Sequence, residues 1–227
     1  MSNIEWDFRD KNVLVVGGSR GIGKGVVVGF TKSGANVIEL DSSNCDLKYK
    51  EDIDTFVDRL SSVDILVNVA AINYTKKIED ITFQEWDEVL NINLRGIFYI
   101  TKKVLEFMPD GGKIVNVSSI AGRHRSLVSG VHYTSSKAGM IGLTKQLAYE
   151  VGDRNINVNC VCPSQTLTDM LKQSMKELEK QQKELSESIP LKRIAKVEEQ
   201  VNPIMFLCSE EASYITGTTL DVNGGQL

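Results

Sequence analysis

Tyr133 and Lys137 stand four residues apart in Tyr133-Thr134-Ser135-Ser136-Lys137, a spacing that puts both side chains on one face of a helix. A tyrosine hydroxyl titrates near pH ~10 and is a poor base at neutral pH unless a nearby cation stabilises its phenolate. Lys137 is such a cation. Upstream, Lys113-Ile114-Val115-Asn116-Val117 reads as a buried strand that ends in Ser118-Ser119, and a serine hydroxyl there could hold a substrate oxygen near Tyr133. The chemistry this set could perform is proton transfer to or from an alcohol or ketone oxygen. Each part alone has an ordinary structural explanation, since Tyr and Lys at helical spacing and Ser-Ser after a strand are both common. Their joint occurrence carries the signal.

A second cluster lies near the start. The run Gly17-Gly18-Ser19-Arg20-Gly21-Ile22-Gly23 follows an apolar strand, and Lys24 to Lys32 reads as a helix after it. Glycines there permit a tight turn, a close approach to a pyrophosphate and close packing of helix on sheet, while the helix N-terminus offers free N–H groups to phosphate. Asp41 closes the next strand, where a carboxylate would accept hydrogen bonds from ribose hydroxyls and repel a 2′-phosphate. That favours NAD over NADP. Arg20 favours NADP, because a guanidinium can hold a 2′-phosphate bidentately. Asp41 also has a plain reading as a turn former before Ser42 and Ser43.

These residues need a scaffold, and the hydrophobic pattern supplies one. Short β-branched runs (13–16, 36–40, 65–67, 113–117, 157–161 and 219–222) alternate with helical stretches (24–32, 50–60, 83–107 and 133–151). This is the pattern of an α/β protein: a Rossmann-type, doubly wound parallel sheet formed by one domain spanning residues 1–227. The stretch 168–190 is irregular, with Met170, Leu171 and Met175 among many Lys, Glu and Gln residues, and reads either as a solvated surface helix or as a substrate lid.

Composition narrows the class further. With 26 Lys+Arg against 30 Asp+Glu the net charge is −4, which gives no general attraction to nucleic acid or anionic lipid. No apolar run has the length of a membrane span, and Met1 to Asp7 lacks the features of an export signal, so a cytoplasmic location is expected. Cys45, Cys160, Cys162 and Cys208 lack paired metal spacing, so neither a metal site nor a disulfide is expected.

Taken together these segments resemble the short-chain dehydrogenase/reductase family over nearly the whole chain. Gly17, Gly21 and Gly23 match its glycine turn, with Val16 where threonine is common. Asp46-Leu47 resembles the pair that cradles adenine, and Asn68-Val69-Ala70-Ala71 resembles the N-N-A-G turn. Asn93 matches a helix asparagine that helps hold a water for proton relay. Ser119, Tyr133 and Lys137 match the catalytic serine and the Y-x-x-x-K pair, and Pro163 to Thr168 resembles the segment that touches the nicotinamide amide. Ile215-Thr216-Gly217 and Asp221 to Gly225 resemble the C-terminal signature.

The resemblance implies catalytic roles for Asn93, Ser119, Tyr133 and Lys137, with Lys137 lowering the tyrosine pKa and holding the nicotinamide ribose. It implies cofactor contacts at Gly17, Ser19, Arg20, Gly21, Ile22 and Gly23, at Asp41, Asp46, Leu47, Asn68 and Ala70, at Pro163, Thr166 and Thr168, and at Tyr133 and Lys137 themselves. It also implies a homotetramer or homodimer built on the 83–107 and 133–151 helices. The expected activity is NAD(H)-dependent interconversion of a secondary alcohol and a ketone on a small-molecule substrate. The basic run Arg123-His124-Arg125, with His132, suggests an anionic or polyhydroxylated one such as a sugar or hydroxy acid. Rival readings are an NADP-dependent 3-oxoacyl-type ketoreductase and a dinucleotide sensor without catalysis.

Three departures from the family pattern are visible. Ala71 and Val69 alter the N-N-A-G turn, and Ser164 replaces a glycine. Only Ser42-Ser43-Asn44-Cys45 separate Asp41 from Asp46, so the connection between the second and third strands is shortened, one crossover helix is expected to be missing, and the adenine pocket should be open. Ser118 is an alternative to Ser119.

Overall fold

The apolar runs become six strands in the computed structural model, which describes residues 6–126, 128–168, 171 and 178–226. They are β1 (Asn12–Val16), β2 (Asn36–Leu40), β3 (Ile65–Asn68), β4 (Lys113–Val117), β5 (Asn157–Pro163) and β6 (Thr219–Val222). All pairings are parallel, in the order β2-β1-β3-β4-β5-β6. Because alternate side chains point to opposite faces, each strand feeds two cores. Val13, Val15, Val67 and Val115 pack under α1 (Gly21–Lys32) and α8 (Val197–Cys208). Leu14, Val16, Leu66 and Ile114 pack under α2 (Lys50–Val57), α4 (Ile97–Leu105) and α6 (Val131–Glu150).

The chain leaves β1 toward β2 on one side and returns to β3 on the other. A crevice therefore opens beyond the carboxyl ends of β1 and β3, where such sheets bind ligands. Val69 and Ala70 both donate their N–H to the carbonyl of Val16, at 2.8 Å each, which ties the turn after β3 to the end of β1.

The shortened β2–β3 connection is as expected and goes further: no strand forms between Asp41 and Tyr49, so β2 is the sheet edge. Asn44 closes the replacing turn. Its amide oxygen accepts the Asp41 N–H at 3.0 Å and its nitrogen donates to the Glu39 carbonyl at 3.0 Å.

The 83–107 helix is not continuous. It divides into α3 (Phe83–Leu90), a π-helical segment over Asn91–Gly96, and α4. Thr82 and Glu85 form a reciprocal capping box that starts α3. At the far end of the π segment, a Cβ on Gly96 would lie 2.5 Å from the Leu47 carbonyl oxygen, so glycine lets the short connection press against the helix. A short α5 (Ile120–Arg123) follows Ser119, and α7 (Leu178–Ser188) lies within the 168–190 stretch. Leu171, Leu185 and Ile194 form a small apolar cluster there. Met170 and Met175 lie outside the described residues.

Candidate active site

The crevice contains a cavity of about 420 Å³ that runs from Asp41 and Leu47 at one end, past the glycine turn, to Tyr133 and Lys137 at the other. Its middle is shaped by missing side chains. Gly17 has φ +91°, and a Cβ there would sit 2.6 Å from the Ala70 Cα. A Cβ on Gly23 would sit 1.9 Å from the Gly17 carbonyl oxygen, inside any allowed contact. The turn therefore closes only with glycine at these places, and it leaves the first N–H groups of α1 facing the cavity beside Ser19, Arg20 and Ile22. This cradle fits the pyrophosphate of a dinucleotide.

At the β2 end Asp41 lines the cavity and also forms the turn after β2. Its carboxylate accepts from the Ser43 N–H at 2.8 Å and the Ser43 hydroxyl at 2.5 Å. The Ser43 hydroxyl, then its N–H, and further the Ser19 hydroxyl hold the Asp41 carboxyl below its ordinary pKa, so it is ionised at neutral pH. Arg20 stands at the N-cap of α1 and lines the same cavity; among the described residues no carboxylate pairs with it. Asp46 and Leu47 complete this end.

At the opposite end, the extended backbone of Ser119 caps α5 and its Oγ accepts the Ala121 N–H at 3.1 Å, leaving the hydroxyl hydrogen free to donate. It lies near the Tyr133 hydroxyl, whose pKa it draws down. The Ser118 hydroxyl instead donates to the Lys137 carbonyl at 2.7 Å and is buried, so of the two serines Ser119 is the one placed at the phenol. Burial pushes the Tyr133 phenol up to about 12, against the Ser119 hydrogen bond, which lowers it. Lys137 is 1% exposed; its Nζ donates to the Val117 carbonyl at 2.7 Å and lies 5.7 Å from the centre of the Tyr133 ring. Burial pushes it down to about 8.

The pair is thus adjacent, but the expected acidification of the phenol is absent in this state. The ammonium is turned onto a backbone carbonyl, and desolvation dominates both groups.

Pro163, Thr166 and Thr168 lie along the cavity wall beyond β5. The Thr166 hydroxyl donates to the Ser164 carbonyl at 3.1 Å, and Thr168 approaches the glycine turn, its methyl 3.3 Å from where a Cβ on Gly21 would be.

Two expected site asparagines point elsewhere. Asn68 and Asn93 are buried and do not line the cavity. The Asn68 amide donates to Asn116 Oδ1 at 2.8 Å and Thr101 Oγ1 at 3.1 Å, because its register on β3 turns it under α4 and α6. Asn93 lies in the π segment. It accepts the Ile72 N–H at 2.8 Å and donates to the Ile72 carbonyl at 2.9 Å and to Ser136 Oγ at 3.2 Å. Both amide hydrogens are engaged, so its side chain clamps the loop after β3 onto α6.

The basic run is also turned away. Arg123 pairs with Asp221 at 3.1 Å, and Arg123, His124 and Arg125 do not line the cavity. His132 is fully buried, its Nδ1 accepts the Tyr133 N–H at 2.7 Å, and burial pushes its pKa down. Among the described residues, the lining beside Tyr133 and Lys137 is instead the uncharged set Ile72, Asn73, Ser126, Val128, Ser129 and Gln165. No motif marks these residues; only the fold brings them together.

The family model described as enoyl-(acyl carrier protein) reductase matches residues 40–226. The 3-oxoacyl-[acyl-carrier-protein] reductase of Aquifex aeolicus is 36% identical, over 98% of this chain and 99% of that protein. The ligand-free aldohexose dehydrogenase of Thermoplasma acidophilum superposes with a TM-score of 0.89 at 32% identity, covering 96% of this chain and 94% of that one. The 3-ketoacyl-(acyl-carrier-protein) reductase of Brucella melitensis, complexed with NADH, gives 0.89 at 27% identity, covering 97% and 99%.

Proposed function

Because the chain belongs to the short-chain dehydrogenase/reductase family and is an oxidoreductase of CH–OH groups, we propose that it uses NAD(H) to interconvert a secondary alcohol and a ketone. The observation that carries this is the convergence of Ser119, Tyr133 and Lys137 on one cavity wall, with the Lys137 ammonium 5.7 Å from the centre of the Tyr133 ring. A bound nicotinamide supplies or accepts the hydride. Tyr133, protonated at neutral pH, gives its proton to the ketone oxygen as that oxygen gains charge, and Ser119 donates a hydrogen bond to the same oxygen. In the reverse direction the phenol must first be made more acidic. Lys137 would do this if its ammonium turned from the Val117 carbonyl toward the cavity, where it would also help hold the nicotinamide ribose.

NAD is preferred because Asp41 is held ionised where a 2′-phosphate would sit. Asn93 acts at one remove by fixing Ile72 and α6. Apart from Lys137, the described lining at the Tyr133 end is uncharged, which supports a neutral substrate, such as a sugar-like polyol or a ketone, over an anionic one. The 168–190 stretch, of which residues 169–170 and 172–177 lie outside the described ones, is proposed as a substrate lid. Exposed Phe98 on α4 and Tyr149 on α6 support a homodimer or homotetramer built on those helices. With no helix among the described residues long and apolar enough to cross a membrane, the proposed setting is the cytoplasm.

A second reading, NADPH-dependent reduction of a 3-oxoacyl group, is favoured by Arg20, which lines the cavity with no carboxylate partner among the described residues, and by the Aquifex relative. Turnover of aldohexoses, simple secondary alcohols and an acetoacetyl thioester, each with both nucleotides, decides between them. Activity on the thioester with NADPH alone overturns the first reading; no turnover on any substrate, with nucleotide still bound, overturns both.

A further inference from the structure

We propose that Glu88 is a positioning residue that transmits occupancy of the Asp46 end of the cleft to the loops flanking Tyr133. The proposal rests on the dinucleotide reading of the cavity. If phosphates sit at the glycine turn and the reacting ring beside Tyr133, the second nucleoside lies against Asp41, Asp46 and Leu47.

Glu88, on α3, is bonded at both of its carboxylate oxygens. Oε1 accepts from Lys48 Nζ at 3.3 Å and Oε2 accepts from the Tyr74 hydroxyl at 2.7 Å. Lys48 is itself shared, lying 3.4 Å from Asp46 Oδ2, and its N–H donates to Asp46 Oδ1 at 3.0 Å. An unbroken chain of charged and polar contacts therefore runs Asp46, Lys48, Glu88, Tyr74. The three side chains that bear the charges are each about one third exposed, so the chain is neither locked in the core nor loose in solvent.

Beyond Tyr74 the contacts enter the substrate end. The Tyr74 carbonyl accepts the Gly130 N–H at 3.2 Å, and Gly130 is the N-cap of α6, the helix that carries Tyr133 in its first turn. Asn73 Nδ2 and Thr75 Oγ1 both donate to the Val128 carbonyl, at 3.1 and 3.0 Å. The Tyr74 ring packs on His132, centroids 5.9 Å apart. Two cavity-lining residues, Asn73 and Val128, are thus held by the loop that Glu88 anchors.

The coupling needs no large movement. A ligand group that fixes Asp46 also fixes the rotamers of Lys48, Glu88 and Tyr74. That ordering, once made, is no longer a cost of binding at the other end.

Hydrogen exchange of the full chain with and without 5′-AMP tests this, because AMP fills one end only. In the wild type, AMP slows exchange at residues 41–47 and also, by about fivefold or more, at 72–77 and 128–131. In Glu88→Gln, which keeps the size but cannot accept at both atoms, protection at 41–47 persists and the distant protection is lost; Tyr74→Phe behaves the same way. Distant protection that survives in both variants, or that never appears in the wild type while 41–47 is protected, overturns the coupling and leaves the dinucleotide reading standing. Protection nowhere removes both.

Discussion

Replacing Lys137 with methionine should make the protein more stable at neutral pH while ending its catalysis. Lys137 is 1% exposed, and burial takes its pKa from 10.5 to about 8. At about 1.4 kcal/mol per unit, holding the ammonium inside the fold costs roughly 3 kcal/mol. The sign follows from proton binding. Between the two pKa values the unfolded chain binds the lysine proton more strongly, so stability rises with pH there; below pH ~8 the full cost is present and above ~10.5 it is gone. Methionine fills a similar volume without charge, but leaves the Val117 carbonyl without its 2.7 Å partner, a loss of about 1–2 kcal/mol. The net expectation at pH 7 is a gain of about 1–2 kcal/mol. Urea unfolding of both proteins at intervals from pH 7 to 10 measures it, and the advantage of Lys137→Met should shrink steadily above pH 8. A wild type that gains nothing on the variant across that range would refute the assignment of Lys137 as a buried, desolvated cation.

Tyr133→Phe should lower kcat by about 10²–10⁴-fold with NADH affinity little changed, since it removes the proton and not the cradle; steady-state rates beside fluorescence titration check both. Asp41→Ala should weaken NADH by about 10–100-fold and narrow or invert the preference over NADPH, because a ribose acceptor and a repelling charge are lost together; comparing Kd for the two nucleotides tests it. Gly23→Ala places a methyl where only 1.9 Å separates it from the Gly17 carbonyl. It should destabilise by about 1–3 kcal/mol and abolish nucleotide binding, read by thermal melts with and without NADH. Finally, β2 is a bare edge beside the adenosine end, so the wild type should bind NADH weakly for its family, and a submicromolar Kd in titration would contradict this.

Much of the framework was legible because strands covered on both faces must be apolar at nearly every position, and those runs are visible in a single sequence. The glycine turn was legible for a related reason: a position where a Cβ meets a backbone oxygen admits one residue type. Tyr133 and Lys137 were legible through spacing and reaction chemistry together, and Ser119 through the family resemblance.

What could not be read was direction. An asparagine at the end of β3 could face the crevice or the helices, and the strand register turns Asn68 to the helices. Arg123 is claimed by Asp221, 98 residues away, so the basic run that suggested an anionic substrate points off the cavity. The π segment at Asn91–Gly96 has no distinct period in the sequence, and without it the 83–107 stretch reads as one helix. Lys48, Glu88 and Tyr74 meet only because a shortened connection lies against α3.

That shortening has an effect on solubility. A sheet that ends at β2 presents the outward N–H and C=O groups of Val37 and Glu39 as a template on which another chain could grow. The Asn44 amide occupies one of those carbonyls at 3.0 Å, and the acidic side chain of Glu39 stands beside it. Losing a strand thus leaves an adhesive border, and one turn residue acts as its guard, so Asn44→Ala should appear first as aggregation on storage rather than as a loss of catalytic rate.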